Sequence, residues 1–376
     1  MIKKPFGNTG YYVAPLGFGC MRLPMTTRTD GTACVDDALA APLLRKAVVS
    51  GINFFDTHWF YCNFDSQRAV GAALSDVRDQ VYISTKIQLN LVQKPEDFDD
   101  LLQRALELMG LDYLDFYHFP ALSYRTWQEK ILPMKLIDRA ERAKATGLIR
   151  NLSFSFHSDT DKMPELINTG AFSTMLTQYN IVDRKNESLL TYAKSKGLGT
   201  MVMGPLMGGI FADGGQNFLS RMDSKCATAV EMAMRFVWAH PDVDIVLSGI
   251  SNMEQLMENI CYAENIATIT TDERNGLIAR SEEIRELNDL YCTNCNYCHT
   301  CPEQIRIGRI FTLYLQHKIW GLTDSVRRRR DAHPVPFNLT PDPTSCTNCG
   351  ICKTACPQNI DIPAELNRIW PTLTNL

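Results

Sequence analysis

Eight of the chain's thirteen cysteines fall in two short runs. Cys292, Cys295, Cys298 and Cys301 form the first, ending in Pro302. Cys346, Cys349, Cys352 and Cys356 form the second, ending in Pro357. Thiolates are soft ligands, and at this density in a reducing compartment they point to metal rather than to disulfides. The second run fits the iron–sulfur pattern C-x2-C-x2-C-x3-C-P, and the first is one residue short before its last cysteine. Four-cysteine zinc sites usually separate their CxxC pairs by about 15–20 residues. The close, repeated spacing therefore predicts two [4Fe–4S] clusters, with a single cluster or zinc as the alternatives.

A second constellation is spread through the first third of the chain: Asp56, Tyr61 five residues on, Lys86 and His118. An acid, a phenol, an ammonium and an imidazole together permit proton delivery by the phenol. Tyrosine, with a pKa near 10, is a poor acid at neutral pH. A neighbouring lysine cation favours the phenolate, and an aspartate holds the lysine in place. The plain alternative is a structural Asp56–Lys86 ion pair with Tyr61 as a loop aromatic.

Positioning these side chains requires a repeated scaffold, and the patterning supplies one. Strands are predicted over 13–18, 52–55, 81–85, 113–119, 149–156, 173–179, 199–203 and 243–248. Helical patterns follow each, among them 69–74 with Ser66 as its cap, 98–109 closed by Gly110, 137–145, 163–167, 187–195, 226–239 and 253–260. Eight alternations in about 260 residues suit an α/β fold of the (β/α)8 TIM-barrel type, with its chemistry at the C-terminal strand ends. No GxGxxG follows the first strand, which opposes a Rossmann domain.

The stretches FGNTGYYVAPLGFGCMRLP, NFFDTHWFYCNFDSQRAVGAAL and VYISTK resemble the aldo/keto reductase family, and the likeness extends over residues 5–265. It implies that Asp56, Tyr61 and Lys86 are catalytic, with Tyr61 the general acid toward a substrate carbonyl. The fourth family residue, a histidine in Asp-x-Tyr-x-x-His, is replaced by Pro120. His118 lies two residues earlier on the same strand face. The resemblance also implies a nicotinamide dinucleotide, NAD(P)H. Gln178 and Ser155 match carboxamide positions, although Phe156 and His157 follow Ser155 where an asparagine is usual. Met203 stands where an aromatic residue stacks on the nicotinamide. Segment 248–260, SGISNMEQLMENI, resembles the adenosine-phosphate loop and keeps Asn259. Gly249 and Gln255 replace the cations that read a 2′-phosphate, which predicts weakened NADP selectivity.

The C-terminal segment resembles a dicluster ferredoxin domain, and its fusion behind such a barrel resembles a prokaryotic subfamily. In two-cluster ferredoxins the fourth ligand comes from the other run. Cys292, Cys295, Cys298 and Cys356 would then hold one cluster, and Cys346, Cys349, Cys352 and Cys301 the other. A boundary just before Cys292 divides the chain into a barrel over 1–285 and an iron–sulfur domain over 286–376. Between the runs, 305–319 reads as an amphipathic helix packing the clusters against the barrel. The four arginines of 327–330 are either a docking patch for an acidic electron carrier or a solvated helix end.

The formal net charge of −4 gives no global basic field for nucleic acid or an anionic membrane. No apolar run of about 18 residues exists to span a bilayer. The start, MIKKPFGNTG, lacks an apolar stretch behind its lysines. A cytoplasmic oxidoreductase acting on a small carbonyl or alcohol is expected, with electrons passing through the clusters and a redox protein as a possible partner. A nicotinamide moves electrons in pairs and a cubane singly. A flavin usually joins the two, and a barrel can hold one without a short motif. The alternative is an altered barrel serving electron transfer or redox sensing. Substrate, direction and oligomeric state are not encoded in any motif.

Overall fold

The structure is a computed structural model. It describes every residue except 158, 159, 210, 213, 214, 267, 268, 284–289, 291, 293, 294, 296, 320 and 333. The chain divides into two compact units. The first comprises Met1–Tyr179, Lys185–Met203 and His240–Ala267, and the second Asn180–Arg184, Gly204–Ala239 and Thr268–Leu376.

The first unit is built on a closed barrel of parallel strands: β1 Leu16–Gly19, β2 Phe54–Asp56, β3 Tyr82–Lys86, β4 Leu114–Phe119, β5 Ile149–Phe156, β6 Thr174–Gln178, β7 Gly199–Met203 and β8 Ile245–Gly249. The strands neighbour one another in chain order, and β8 pairs with β1 to close the ring. The helices that follow them are α1 Asp37–Val49, α2 Ser66–Leu74, α3 Asp97–Met109, α4 Leu136–Ala145, α5 Met163–Ile167, α6 Glu187–Ser195, α7 Ala229–Trp238 and α8 Met253–Glu264. Of these, α7 belongs to the second unit. In α3, Phe98, Leu102, Ala105, Leu106 and Met109 are buried at helical spacing, and Gly110 ends the helix with φ +64°. The contact between α2 and α3 admits no side chain at Gly71, where a Cβ would lie 2.0 Å from the Met109 carbonyl oxygen.

An N-terminal hairpin, Lys4–Pro5 paired with Tyr12–Val13, closes the end where the strands begin. Its Phe6 packs edge-on against Phe54 and Phe116, and Gly7 sits tightly against the start of β7. Phe6, Val13, Phe54, Phe116, Leu176, Met201, Ile245 and Leu247 form one buried cluster. Strand side chains alternate, so the residue two further along each strand shares its face. That step leads from Phe54 to Asp56, Phe116 to His118, Leu176 to Gln178, Met201 to Met203 and Leu247 to Gly249. One apolar layer thus fixes the orientation of the polar layer above it.

Two features depart from the sequence expectations. A second hairpin, Met25–Thr27 with Ala33–Val35, lies between β1 and α1. Ser66 is the first residue of α2 rather than its cap. Its hydroxyl instead bonds the Thr57 hydroxyl at 2.7 Å and donates to the Cys20 carbonyl at 2.8 Å.

In the second unit the main helices after α7 are α9 Thr271–Glu283, α10 Ile307–Lys318, α11 Thr323–Asp331, α12 Ile351–Ala355 and α13 Ile362–Thr374. Helix α10 buries Ile307, Ile310, Phe311, Tyr314 and Leu315, as its periodicity predicts. The arginine run is largely engaged within this unit. Arg327 donates to the Leu376 carbonyl and pairs with Asp324, Arg329 donates to Gln316, and Arg330 donates to Asp331 and the Thr374 carbonyl. Among the described residues no helix is long and apolar enough to cross a membrane.

Candidate active site and cysteine cavities

Asp56 ends β2 and Lys86 ends β3, both almost fully buried. The Lys86 ammonium donates to Asp56 Oδ1 at 2.8 Å, to Oδ2 at 2.6 Å and to the Thr57 carbonyl at 2.9 Å. Its three N–H bonds are thereby used, and its position is fixed. Ser84 Oγ donates to Asp56 Oδ1 at 2.8 Å, orienting the carboxylate from below. Lys86 Nζ lies 5.3 Å from the centroid of the half-buried Tyr61 ring. The three residues named for proton delivery are therefore gathered at one point.

The loop carrying Tyr61 is unusual. Cys62, Asn63 and Phe64 have φ of 51°, 54° and 67°, three consecutive left-handed residues without a glycine. Each such residue costs roughly 1–2 kcal/mol, and such conformations persist only where the surroundings enforce them. The enforcement comes from the second hairpin and the β1 end. Asn63 donates to the Ala33 carbonyl at 2.8 Å, Asp65 accepts the Val35 N–H at 2.9 Å, and the Cys62 thiol points at the Cys20 and Met21 carbonyls. Burial pushes the Cys62 thiol up to about 11 and the Cys20 thiol well up, so both are held as protonated thiols. The Asp30-Gly31 pair between the hairpin strands is the one sequence signal that could have revealed this support.

His118 sits on β4 opposite Lys86 in the register and is fully buried. His58, two residues past Asp56, is 3% exposed. Burial, and then the Lys86 cation, hold both imidazoles well below the usual histidine range and therefore neutral. His157, half-buried, is pushed down to about 3 by burial and by Lys185 and Lys86. Pro120, where the family pattern has histidine, lies just beyond β4.

The residues expected at a dinucleotide fall at the ends of β5 to β8. Gln178 is buried and pairs in register with Met203. Ser155 Oγ accepts the Ala121 N–H at 3.1 Å, and Phe156 faces the other way, stacked on Phe154. Gln255 accepts the Ser251 N–H at 2.9 Å, and Asn259 donates to Ser248 Oγ at 2.9 Å. Gly249 is exposed, and a Cβ there would lie 3.3 Å from Arg22 Cδ.

In the second unit the cysteines surround two cavities. Cys301, Cys346, Cys349 and Cys352 line one, together with Ile307 and Leu366. Cys292, Cys295, Cys298 and Cys356 line the other, with Phe311 and Ile362. Each run therefore contributes three cysteines to one cavity and its fourth to the other. Burial and the crowding of Cys295, Cys356 and Cys352 push the Cys298 thiol up to about 12. Such thiols ionise only when a metal compensates them.

Residues 15–279 match the model of the aldo/keto reductase family, and residues 291–365 match that of the 4Fe-4S dicluster domain. The chain belongs to the aldo/keto reductase family and carries a C-terminal iron–sulfur domain of ferredoxin type. It is similar to L-galactose dehydrogenase of Arabidopsis thaliana, at 25% identity over 72% of this chain and 90% of the relative. It is similarly related to the NADH-specific methylglyoxal reductase of Escherichia coli, at 25% identity over 69% of this chain and 93% of that one. Among solved structures, aldo-keto reductase AKR11C1 from Bacillus halodurans superposes with a TM-score of 0.64 at 22% identity, covering 74% of this chain and 96% of that one. The fold and these relatives define an oxidoreductase.

Proposed function

We propose that the barrel reduces a carbonyl, or oxidises the corresponding alcohol, with Tyr61 as the proton donor, and that the second unit holds two [4Fe–4S] clusters. The observation that carries the reading is the buried Lys86–Asp56 pair set against the Tyr61 ring. A bound nicotinamide supplies or accepts the hydride at the substrate carbon. Tyr61 gives its proton to the carbonyl oxygen as the hydride arrives, and Lys86 stabilises the phenolate that remains. Asp56 holds Lys86 in place through two hydrogen bonds. Gln178, at the end of β6, offers a buried amide for a carboxamide, and Met203 beside it offers an apolar face. These residues fit a nicotinamide.

The clusters supply single-electron transfer, for which the two cysteine cavities provide the thiolates. Their presence in the same chain as a hydride-transfer barrel supports a redox protein as a further partner.

Cofactor choice follows from Gly249 and Gln255, neither of which offers a cation to a 2′-phosphate. NADP(H) is expected to exceed NAD(H) in affinity by no more than about tenfold, or roughly 1.4 kcal/mol. Fluorescence titration of the anaerobic protein with both cofactors measures this. A hundredfold preference for NADP(H) would contradict it and direct attention to Arg22, which lies against Gly249.

The test of the whole reading is cofactor oxidation by the anaerobically purified protein in the presence of methylglyoxal or hydroxyacetone. Consumption dependent on the carbonyl supports it. Consumption supported only by a one-electron acceptor would favour the electron-transfer alternative, with which the internal engagement of Ser155, Gln255 and Asn259 is consistent.

A further inference from the structure

The second unit carries a cationic face that its own folding does not explain. Between Glu303 and Asp324 the chain has no carboxylate, and it holds Arg306, Arg309 and Lys318. Arg306 stands at the N-cap of α10 and Arg309 in its first turn, both exposed. That end of a helix is the positive end of its dipole, which favours acidic residues and disfavours cations. The first turn of α10 holds no acidic residue. Among the described residues neither guanidinium has an acidic partner.

A third cation, Arg329 of α11, joins them. It donates to Gln316 at 2.9 Å, and Gln316 lies seven residues beyond Arg309, on the same side of α10. Gln316 is neutral, and the carboxylates of α11, Asp324 and Asp331, are taken by Arg327 and Arg330. Burial and the Arg329 cation hold Arg309 below the usual arginine range, as expected of like charges brought close.

This face adjoins the cysteine cavities. Ile305 and Ile307, on either side of Arg306, are buried and line the cavity of Cys301, Cys346, Cys349 and Cys352. Gly308, next to Arg309, lines the other. Of the eight cysteines Cys349 is exposed, while the other seven are buried or half-buried. Ile351, two residues on, is 45% exposed and offers an apolar contact. Cys349 thus brings its ligand set to the surface. The chain as a whole carries a net charge of −4, which repels an acidic protein elsewhere and leaves this face to attract it.

We propose that Arg306, Arg309 and Arg329 form the docking surface for a small acidic one-electron carrier protein, with the ligand set of Cys301, Cys346, Cys349 and Cys352 as the point of exchange. This rests on the reading of the second unit as the holder of two [4Fe–4S] clusters and adds the surface and the charge of the partner. In the exchange one electron passes to the carrier's one-electron centre, the reduced cluster is oxidised by one, and no bond or proton changes hands.

The full-length protein, isolated without oxygen and reduced with dithionite that is then removed, is mixed with two haem proteins of opposite charge, acidic cytochrome b5 and basic cytochrome c. Haem absorbance gives each second-order rate. The rate with cytochrome b5 is expected to fall at least about tenfold between about 20 and 300 mM salt, because steering by charge is screened. At low salt Arg306→Gln with Arg309→Gln should lower it at least about tenfold and leave the rate with cytochrome c undiminished. Arg306→Lys with Arg309→Lys, which keeps both charges, should retain most of it. Iron content and cluster potentials, the latter from titration followed by electron paramagnetic resonance, should be unchanged in both variants. A cytochrome b5 rate that Arg306→Gln with Arg309→Gln leaves unchanged, or lowers equally with that of cytochrome c, would overturn the inference. So would a shift in cluster potential large enough to account for the lost rate, since the arginines would then act on the cluster and not on a partner. A protein isolated without iron would overturn the cluster reading itself, and this inference with it.

Discussion

Tyr61→Phe is expected to bind cofactor as the unaltered protein does and to lose at least a hundredfold in turnover of a carbonyl. The ring and its contacts with His58 and Phe60 survive the change, so only the phenolic hydroxyl, which carries the acidic hydrogen, is removed. Proton transfer by a placed side chain is worth on the order of 10²–10⁴-fold. Lys86→Met should resemble it, because the phenol loses the cation that favours its ionised form. That substitution also strands a buried carboxylate, and breaking such a pair costs about 3–5 kcal/mol. Lys86→Met combined with Asp56→Asn removes the stranded charge and separates loss of chemistry from loss of fold. His118→Ala should cost less than Tyr61→Phe, since Pro120 stands at the family's usual histidine position and His118 gives up no proton in the proposed step. Cofactor titration, single-turnover rates and iron content together check the set. Full activity in Tyr61→Phe would end the proton-donor reading.

The second large effect concerns iron. The anaerobically isolated protein should hold about eight irons and eight sulfides. The crossed lining of the two cavities makes a sharper statement about pairs of substitutions. Cys301→Ala with Cys346→Ala falls on one cavity and should leave about four irons. Cys301→Ala with Cys295→Ala falls on both and should leave close to none. If each run instead held its own cluster, these two outcomes would exchange. Stoichiometric zinc would replace the cluster reading altogether.

Much of the barrel could be read directly from the residues. The strands 149–156 and 199–203 have the boundaries their β-rich patterning predicts, and Gly110 closes α3 in the left-handed conformation expected of it. These features are local, set by side-chain alternation and by the freedom of one glycine. The gathering of Asp56, Tyr61 and Lys86 also follows from order, since Asp56 and Lys86 end neighbouring strands and Tyr61 lies in the loop that follows Asp56.

What escaped the sequence is non-local. The left-handed turn at Cys62–Phe64 exists because a hairpin some thirty residues away in sequence supplies the Ala33 carbonyl and the Val35 N–H. Ser66 looks like a helix cap, but the β1 end claims its hydroxyl. The division into compact units likewise places 204–239 with the C-terminal segment through contacts that composition does not display.

The central claim is that this barrel moves a hydride to a carbonyl carbon while Tyr61 moves the proton. The direct measurement is a single turnover, without oxygen, of the full-length protein loaded with NADH deuterated at the transferable position of C4, using hydroxyacetone and methylglyoxal as probes. The account predicts one deuterium on the new carbinol carbon of the product, at a rate lowered at least a hundredfold by Tyr61→Phe. Product without deuterium, or oxidation of the cofactor that bleaches the iron–sulfur absorption and leaves both carbonyls unreduced, would contradict it.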